Sequence, residues 1–349
     1  MGVCEKGGGK YLQKSSGKFG KSLDISGKLY YNGGNGGERR NQTFGEGLFM
    51  KLATSLSDFG RYVDAKEGIR LIREAGFRYI DYTLGGRRLF EDENWREFAK
   101  EMVDYAGGLD VKYVQAHSPN ATVLTPDRWE KEVFWGKRSL EVCAEMGIPQ
   151  VVIHAAYTRR PVCKETWYDL NEKFYRELLP VAEETGVTIL TENTTHANLR
   201  EGTYYLYTGK DMVEFIEHID HPLLQAVWDT GHGTTEGSQY DNITALGKHL
   251  RGLHVHDNNG KADEHTMPYT GVLNLDQVMN GLLDVGYEGY FTFEVLNALR
   301  APKDGRQPRQ RFEKDTRLWD PTLEMQIDME RLLYHIGKHA LQSYGCFEE

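Results

Sequence analysis

The sequence is poor in cysteine, in long apolar runs and in net positive charge, and each shortage argues against a class of protein. Four cysteines, Cys4, Cys143, Cys163 and Cys346, are scattered through 349 residues with no CxxC pair. That spacing argues against a disulfide framework; reduced thiols are expected, with Cys143 reading as a small core residue of a helix. No apolar run approaches the roughly 20 residues of a membrane span, and the N-terminus lacks the apolar core of a signal peptide, so a cytoplasmic location without membrane contact is expected. The formal net charge of -10 argues against a surface built to neutralise phosphate backbones, and a nucleic acid is not the expected partner. No glycine-rich phosphate turn follows the first predicted strand, where SLSDFG stands at 55–60; a doubly wound nucleotide-binding sheet normally opens with one. What is present, 39% hydrophobic and 11% aromatic residues, is enough for a sizeable core.

Residues 1–49 stand apart, rich in Gly, Lys, Ser and Asn (GGGKYLQKSSGKFGKS, YYNGGNGGERRNQTFGEG). Such a stretch buries too little surface to offset its ordering entropy, so a disordered tail is expected, with a nucleic-acid or partner tether, or a functional start at Met50, as alternatives. From Met50, short β-rich runs alternate with longer amphipathic segments. Strands are predicted over Met50–Leu56, Phe77–Thr83, Val111–His117, Gln150–Ala155, Val187–Glu192, Leu224–Asp229, Leu250–His256 and Gly289–Val295. Helices are predicted over Asp64–Ala75, within Glu93–Ala106, over Pro126–Met146, around Thr166–Thr185, near Lys210–His218 and Asn242–His249, and over Leu275–Val285; Gly76, Gly147 and Gly186 close three of them. Eight such units predict an α/β fold, a (β/α)8 TIM barrel over 50–299, of about the 250 residues such barrels take. Residues 300–349 are expected to form a polar loop, beginning in Leu299–Phe312, and a C-terminal helix over Thr322–Leu341 packing on the barrel.

The densest chemistry lies in LHVHDNNGKADEH at 253–265, where alternation puts His254 and His256 on one face of a strand. In a TIM barrel the chemically active groups sit at the C-terminal strand ends. There the third strand ends at His117, the fourth carries His154, the fifth ends at Glu192, the sixth at Asp229 with His232 three residues on, the seventh carries His254 and the eighth Glu294. A lone histidine is usually a hydrogen-bonded core residue; six consecutive strands delivering metal-competent groups to one rim predict a metal site. Glu192, Asp229, His254 and Glu294 offer three carboxylates and one imidazole, a set that suits manganese first, with magnesium, cobalt or zinc as alternatives. His117, His154, His232, Asp263 and His265 could hold further metal ions or orient a polar substrate. His256 and Asp257 are expected behind the ligands, orienting His254 or closing the rim. Arg87, Arg88, Arg159 and Arg160 are rim candidates for a substrate phosphate, with solvated loop charges as the simpler reading.

In combination, TEN at 191–193, WDTGH at 228–232, LHVHDNNG at 253–260, DEH at 263–265 and the pairing of GYEG at 286–289 with FTFEV at 291–295 resemble the xylose isomerase-like TIM-barrel superfamily, from Met50 to about Leu296. That superfamily groups sugar and sugar-phosphate isomerases and epimerases with endonuclease IV. Its ketose epimerase pattern implies Glu192, Asp229, His254 and Glu294 as ligands of a divalent metal ion and His232 as a substrate contact. It implies Glu192 and Glu294 as the catalytic pair, moving a proton next to a metal-chelated carbonyl through an enediolate. Those epimerases carry an arginine shortly after the seventh-strand histidine, where this chain has Asn258, Asn259, Gly260 and Lys261. The endonuclease IV pattern implies a trinuclear phosphodiesterase site from the same four ligands with His117, His154, His232, Asp263 and His265, and the acidic balance stands against it. The expected function is a metal-dependent isomerase or epimerase of a small carbohydrate or its derivative. A dehydratase or lyase on a keto-inositol, an oxidised sugar or a C-glycoside shares the early chemistry, and an abasic-site phosphodiesterase is the third reading. A homo-oligomer is compatible with all three.

Overall fold

The computed structural model describes residues 48–60, 62–119, 124–158, 160–196, 203–296 and 321–349, together with the backbone of 22–23 and 29–30. The chain divides into two compact units, Met1–Glu46 and Gly47–Glu349. In the first, Ser22–Leu23 pairs antiparallel with Leu29–Tyr30. Apart from these four residues and 48–49, the expected disordered tail lies outside the described residues, as do the polar stretch Leu299–Phe312 and Arg159.

The second unit alternates strands and helices: β1 (Lys51–Ser55), α1 (Ala65–Ala75), β2 (Tyr79–Thr83), α2 (Trp95–Gly108), β3 (Lys112–His117), α3 (Trp129–Met146), β4 (Gln150–Val152), α4 (Lys164–Thr185), β5 (Thr188–Glu192), α5 (Gly209–Ile219), β6 (Leu224–Asp229), α6 (Gln239–Leu246), β7 (Leu250–His254), α7 (Leu275–Asp284), β8 (Tyr290–Phe293) and α8 (Leu323–Ser343). The eight strands are parallel and paired in the order β8-β1-β2-β3-β4-β5-β6-β7. Val255 closes the ring: its amide donates to Thr292 O at 2.7 Å and its carbonyl accepts from Glu294 N at 3.2 Å. The fold is the TIM barrel that the eight repeats predict. Among the described residues no helix is long and apolar enough to cross a membrane.

Local chemistry sets the helix bounds. Asp64 accepts from Glu67 N at the start of α1, Ser238 from Asp241 N at α6 and Thr322 from Met325 N at α8, while Thr208 and Asp211 form a capping box at α5. The Ser238 cap explains why α6 begins three residues before the predicted Asn242. Gly147 and Gly186 end α3 and α4 in the left-handed region, at φ 67° and 70°, as their positions predict.

Strand alternation separates two environments. Outward residues such as Ile189, Ala226, Leu253 and Phe291 join the large core beneath the helices. Inward, Val152, Leu190 and Val227 form a small apolar cluster of their own, and the next inward positions up β5, β6 and β7 are Glu192, Asp229 and His254. The strands are shorter than predicted: β4 stops at Val152 and β7 at His254. His154, His256 and Asp257 therefore lie on loops above the rim. Helix α8 packs against β1, where Gly337 admits Leu52 and Phe293, and Tyr334 meets the Phe77 ring edge-on at 5.2 Å.

Candidate metal and active site

Glu192, Asp229 and His254 end β5, β6 and β7, and Glu294 follows β8. Each of these four offers a ligand atom within 4.8 Å of the others. Glu192, Asp229 and His254 are fully buried and Glu294 is partly so. His254 Nδ1 lies 3.1 Å from Glu192 Oε1 and 3.5 Å from Glu294 Oε2. Glu192 Oε2 is buried with no hydrogen-bond partner among the described residues. Buried carboxylate oxygens of that kind are expensive unless paired or bound to a metal, so the donor set fits a divalent cation.

Two further groups flank this one. His117 Nδ1 lies 2.8 Å from the Ser118 carbonyl, which can only accept, so Nδ1 carries a proton and Nε2 turns inward. There it meets His154 Nε2 at 3.1 Å and Glu192 Oε2 at 3.7 Å. On the other side His232 Nδ1 donates to Asn193 O at 2.9 Å and His265 Nδ1 to Glu294 O at 3.0 Å. Their Nε2 atoms grip opposite oxygens of Asp263, at 3.1 and 3.2 Å. His265 holds φ 49°, a left-handed conformation costly for a non-glycine residue.

The supports come from neighbouring backbone and side chains. Asn193 pins Asp229, accepting from its amide at 2.7 Å and donating to its carbonyl at 3.0 Å. His256 Nε2 bonds Asp229 Oδ2 at 2.9 Å and its ring stacks on His265 at 3.9 Å. It thus orients Asp229, where the sequence pattern offered His254 as its target. A side chain at Gly231 would overlap the His256 ring, which accounts for the glycine of WDTGH. Asp257 accepts from Asn258 N, Leu273 N and Gly271 N, each at 2.8 Å, so it clasps the ends of the 258–273 loop and closes the rim. Arg87 and Arg88 are exposed and pair with Glu91 and Glu101.

Three residues that the sequence pattern does not single out carry much of this order: Asn193, Gln115 and Asp81. Asp81, on β2, is 2% exposed, and its Oδ2 lies 2.9 Å from His254 Nε2 and 2.7 Å from Gln115 Nε2. A signal was available, since FRYIDYT carries one acid at an inward position, flanked by the buried Ile80 and Tyr82.

Burial penalises every charge here, and the opposite charges outweigh it at most positions. Burial alone would raise Glu192, but His254 and His154 hold it well below the carboxylate range. For Asp229 burial is likewise outweighed by His232 and His256. Burial lowers His254 and His232, yet Glu294 and Glu192 raise the first well above its ordinary value and Asp229 and Asp263 the second. Against the same penalty, Asp263 and Glu294 raise His265 to about 9. His154 is the exception: burial wins and takes it down to about 4, which favours the neutral imidazole that a metal ligand must be.

Residues 69–319 match the model of the family described as xylose isomerase-like TIM barrel. The chain belongs to this family. Within it, fructoselysine 3-epimerase of Escherichia coli is 28% identical over 185 residues, 50% of this chain and 64% of that enzyme. Inosose dehydratase of Geobacillus thermodenitrificans is 26% identical over 159 residues, 40% of this chain and 50% of that enzyme. The chain thus spans half to less than two thirds of the length of these two relatives. A crystal structure of D-psicose 3-epimerase from Clostridium cellulolyticum with D-tagatose superposes with a TM-score of 0.66 at 18% identity, covering 84% of this chain and 99% of that one; that likeness concerns the barrel fold.

Proposed function

We propose that this chain is a divalent-metal-dependent isomerase or epimerase acting on a sugar or sugar derivative. The observation that carries the reading is the buried group Glu192, Asp229, His254 and Glu294, three carboxylates and one imidazole converging at the C-terminal rim. These four would hold the cation, with manganese best suited to so oxygen-rich a set. Bound there, a divalent ion draws electron density from a carbonyl and its neighbouring hydroxyl and acidifies the C–H between them. Glu192 and Glu294 are the bases at hand: one takes the proton and the other returns it, inverting or relocating the centre. His232 and the His117–His154 pair lie beside them to hold substrate oxygens. The similarity to fructoselysine 3-epimerase supports this class of chemistry, and the similarity to inosose dehydratase supports a variant in which the same abstraction expels a β-hydroxyl.

A second reading has its own observation. The groups His117–His154–Glu192 and His232–Asp263–His265 also gather ligand atoms within 4.8 Å, enough for two more cations and hence for phosphodiester hydrolysis. The net charge of -10 weighs against a nucleic-acid substrate.

The deciding experiment is solvent deuterium exchange, followed by NMR, on ketoses and keto-inositols with the manganese-loaded protein, beside abasic DNA. Exchange at the carbon next to the carbonyl is expected, and Glu294→Gln should lower it about 10²- to 10⁴-fold. Full activity in that variant would remove Glu294 from the chemistry, and cleavage of DNA alone would replace the isomerase reading.

A further inference from the structure

Beneath the rim the barrel interior is apolar along β4, β5 and β6, where Val152, Leu190 and Val227 cluster, and polar along β2 and β3. Asp81 from β2 and Gln115 from β3, both buried, and the partly buried Gln150 from β4 form a row of contacts beneath the His254 ring. Gly252, one inward position below His254, makes room for it: a Cβ there would overlap Gln115 Oε1 and meet Leu190 at 2.9 Å. Gln150 Nε2 donates to Gln115 Oε1 at 3.2 Å, which fixes the Gln115 amide so that its Nε2 faces Asp81 and His254, at 2.7 and 3.0 Å. Gln115 therefore offers His254 Nε2 no acceptor, and its own amide N–H goes to Asp81 Oδ2. The one acceptor that the described residues offer to His254 Nε2 is Asp81 Oδ2, at 2.9 Å. On the opposite edge of the ring, Nδ1 faces Glu192 and Glu294.

We infer that Asp81 is a positioning residue for the metal: it holds the Nε2 proton of His254, fixes the ring's tautomer and rotation, and so commits Nδ1 to the cation. A carboxylate behind a ligating imidazole also raises its donor strength, and losing such a partner typically weakens metal binding 10- to 100-fold. A buried acid is costly to keep in a barrel core. Asp81 Oδ1 is buried with no hydrogen-bond partner among the described residues, so hydrogen bonding uses only half of the carboxylate. Packing alone gives no reason for an acid at that position, since an apolar side chain of similar volume would avoid this cost. Its placement makes sense as an electrostatic support for His254.

The inference rests on the divalent-cation reading of the site, and two experiments separate them. Mn2+ and Co2+ titration of the metal-free protein by calorimetry, with the visible spectrum of the Co2+ form, reads the site directly. If the wild-type protein binds neither ion, the metal reading itself fails. If it binds them, Asp81→Asn should bind 10- to 100-fold more weakly and change the Co2+ spectrum, in a variant whose metal-free form still folds. Affinity within twofold of wild type would overturn the role of Asp81. Should the variant fail to fold, the wild type still decides. In 15N-histidine-labelled protein loaded with Zn2+, the His254 ring should show a protected proton on Nε2 and metal-bound Nδ1. The reverse pattern would overturn the inference.

Discussion

Two buried glutamates in this barrel meet opposite fates. Glu192, at the end of β5, is 1% exposed, and Glu330, in α8 against β1, is 0% exposed. Around Glu192 stand His254, His154 and His117, which together overcome the burial penalty and hold it well below the carboxylate range. Around Glu330 the described residues place one hydrogen bond, from the Thr54 hydroxyl at 2.7 Å, and leave Oε2 with none. Burial therefore prevails and lifts Glu330 to about 7. Depth is the same in both places, so the partners decide the sign. A rim crowded with ionisable groups is a region whose charges need one another, or a cation. The wall beneath α8 is a region where charge has no counterpart and neutrality is preferred.

The sharpest way to break this comparison is to neutralise each acid in turn. Glu192→Gln leaves the His254 ring facing an amide in a buried site. Breaking a buried pair from one side costs about 3–5 kcal/mol, and urea unfolding of the metal-free protein at pH 7 should show a loss of that order. A gain in stability would mean that the rim is as overcharged as the α8 wall, and the contrast would collapse.

The two regions were unequally legible in the sequence. Eight repeats of strand and helix, punctuated by caps such as Ser238 and glycines such as Gly147, specify the barrel locally. The motifs at 191–193, 228–232 and 253–265 advertise the rim because histidine beside acid is rare in an apolar strand. What the sequence hid was pairing across the ring. Asp81 precedes His254 by 173 residues, and nothing in FRYIDYT says which strand its acid will face; only ring closure brings β2 under β7. For the same reason His256 pairs with Asp229 on the neighbouring strand, a partner that alternation along one strand does not predict. Glu330 was hidden differently: it shares the buried face of α8 with Gln326, Leu333 and Gly337, where helical spacing marks the position as buried but says nothing of a missing counter-charge.

Glu330→Gln should act in the opposite direction, with a definite pH dependence. The carboxyl rises from an ordinary 4.5 to about 7 on folding, so the folded state binds the proton more tightly than the unfolded chain. Stability is then full below about pH 4.5, falls as pH rises toward 7, and levels off above it. The gap corresponds to roughly 3 kcal/mol. The glutamine cannot ionise, so the variant should match the wild type at pH 4 and exceed it at pH 8 by up to that amount in chemical denaturation. Ionisations at the rim are common to both proteins and cancel in the difference. A variant less stable than the wild type at pH 8 would show that Glu330 has a counter-charge after all.

The smallest effect tests the one partner that the α8 wall provides. Thr54→Val keeps the shape of the side chain but removes the hydroxyl that donates to Glu330 Oε1. A hydrogen bond to a buried acceptor contributes about 1 kcal/mol net, and the hydroxyl favours the ionised form of Glu330, so the cost should be greatest above pH 7. Its removal should also carry the fall in stability to higher pH. In a Glu330→Gln background the same substitution loses its charged partner, and a double-mutant cycle at pH 8 should return a coupling of about 0.5 kcal/mol or more. Equal costs in the two backgrounds would mean that Thr54 stabilises the wall by packing alone, leaving Glu330 unsupported and the contrast with Glu192 wider still.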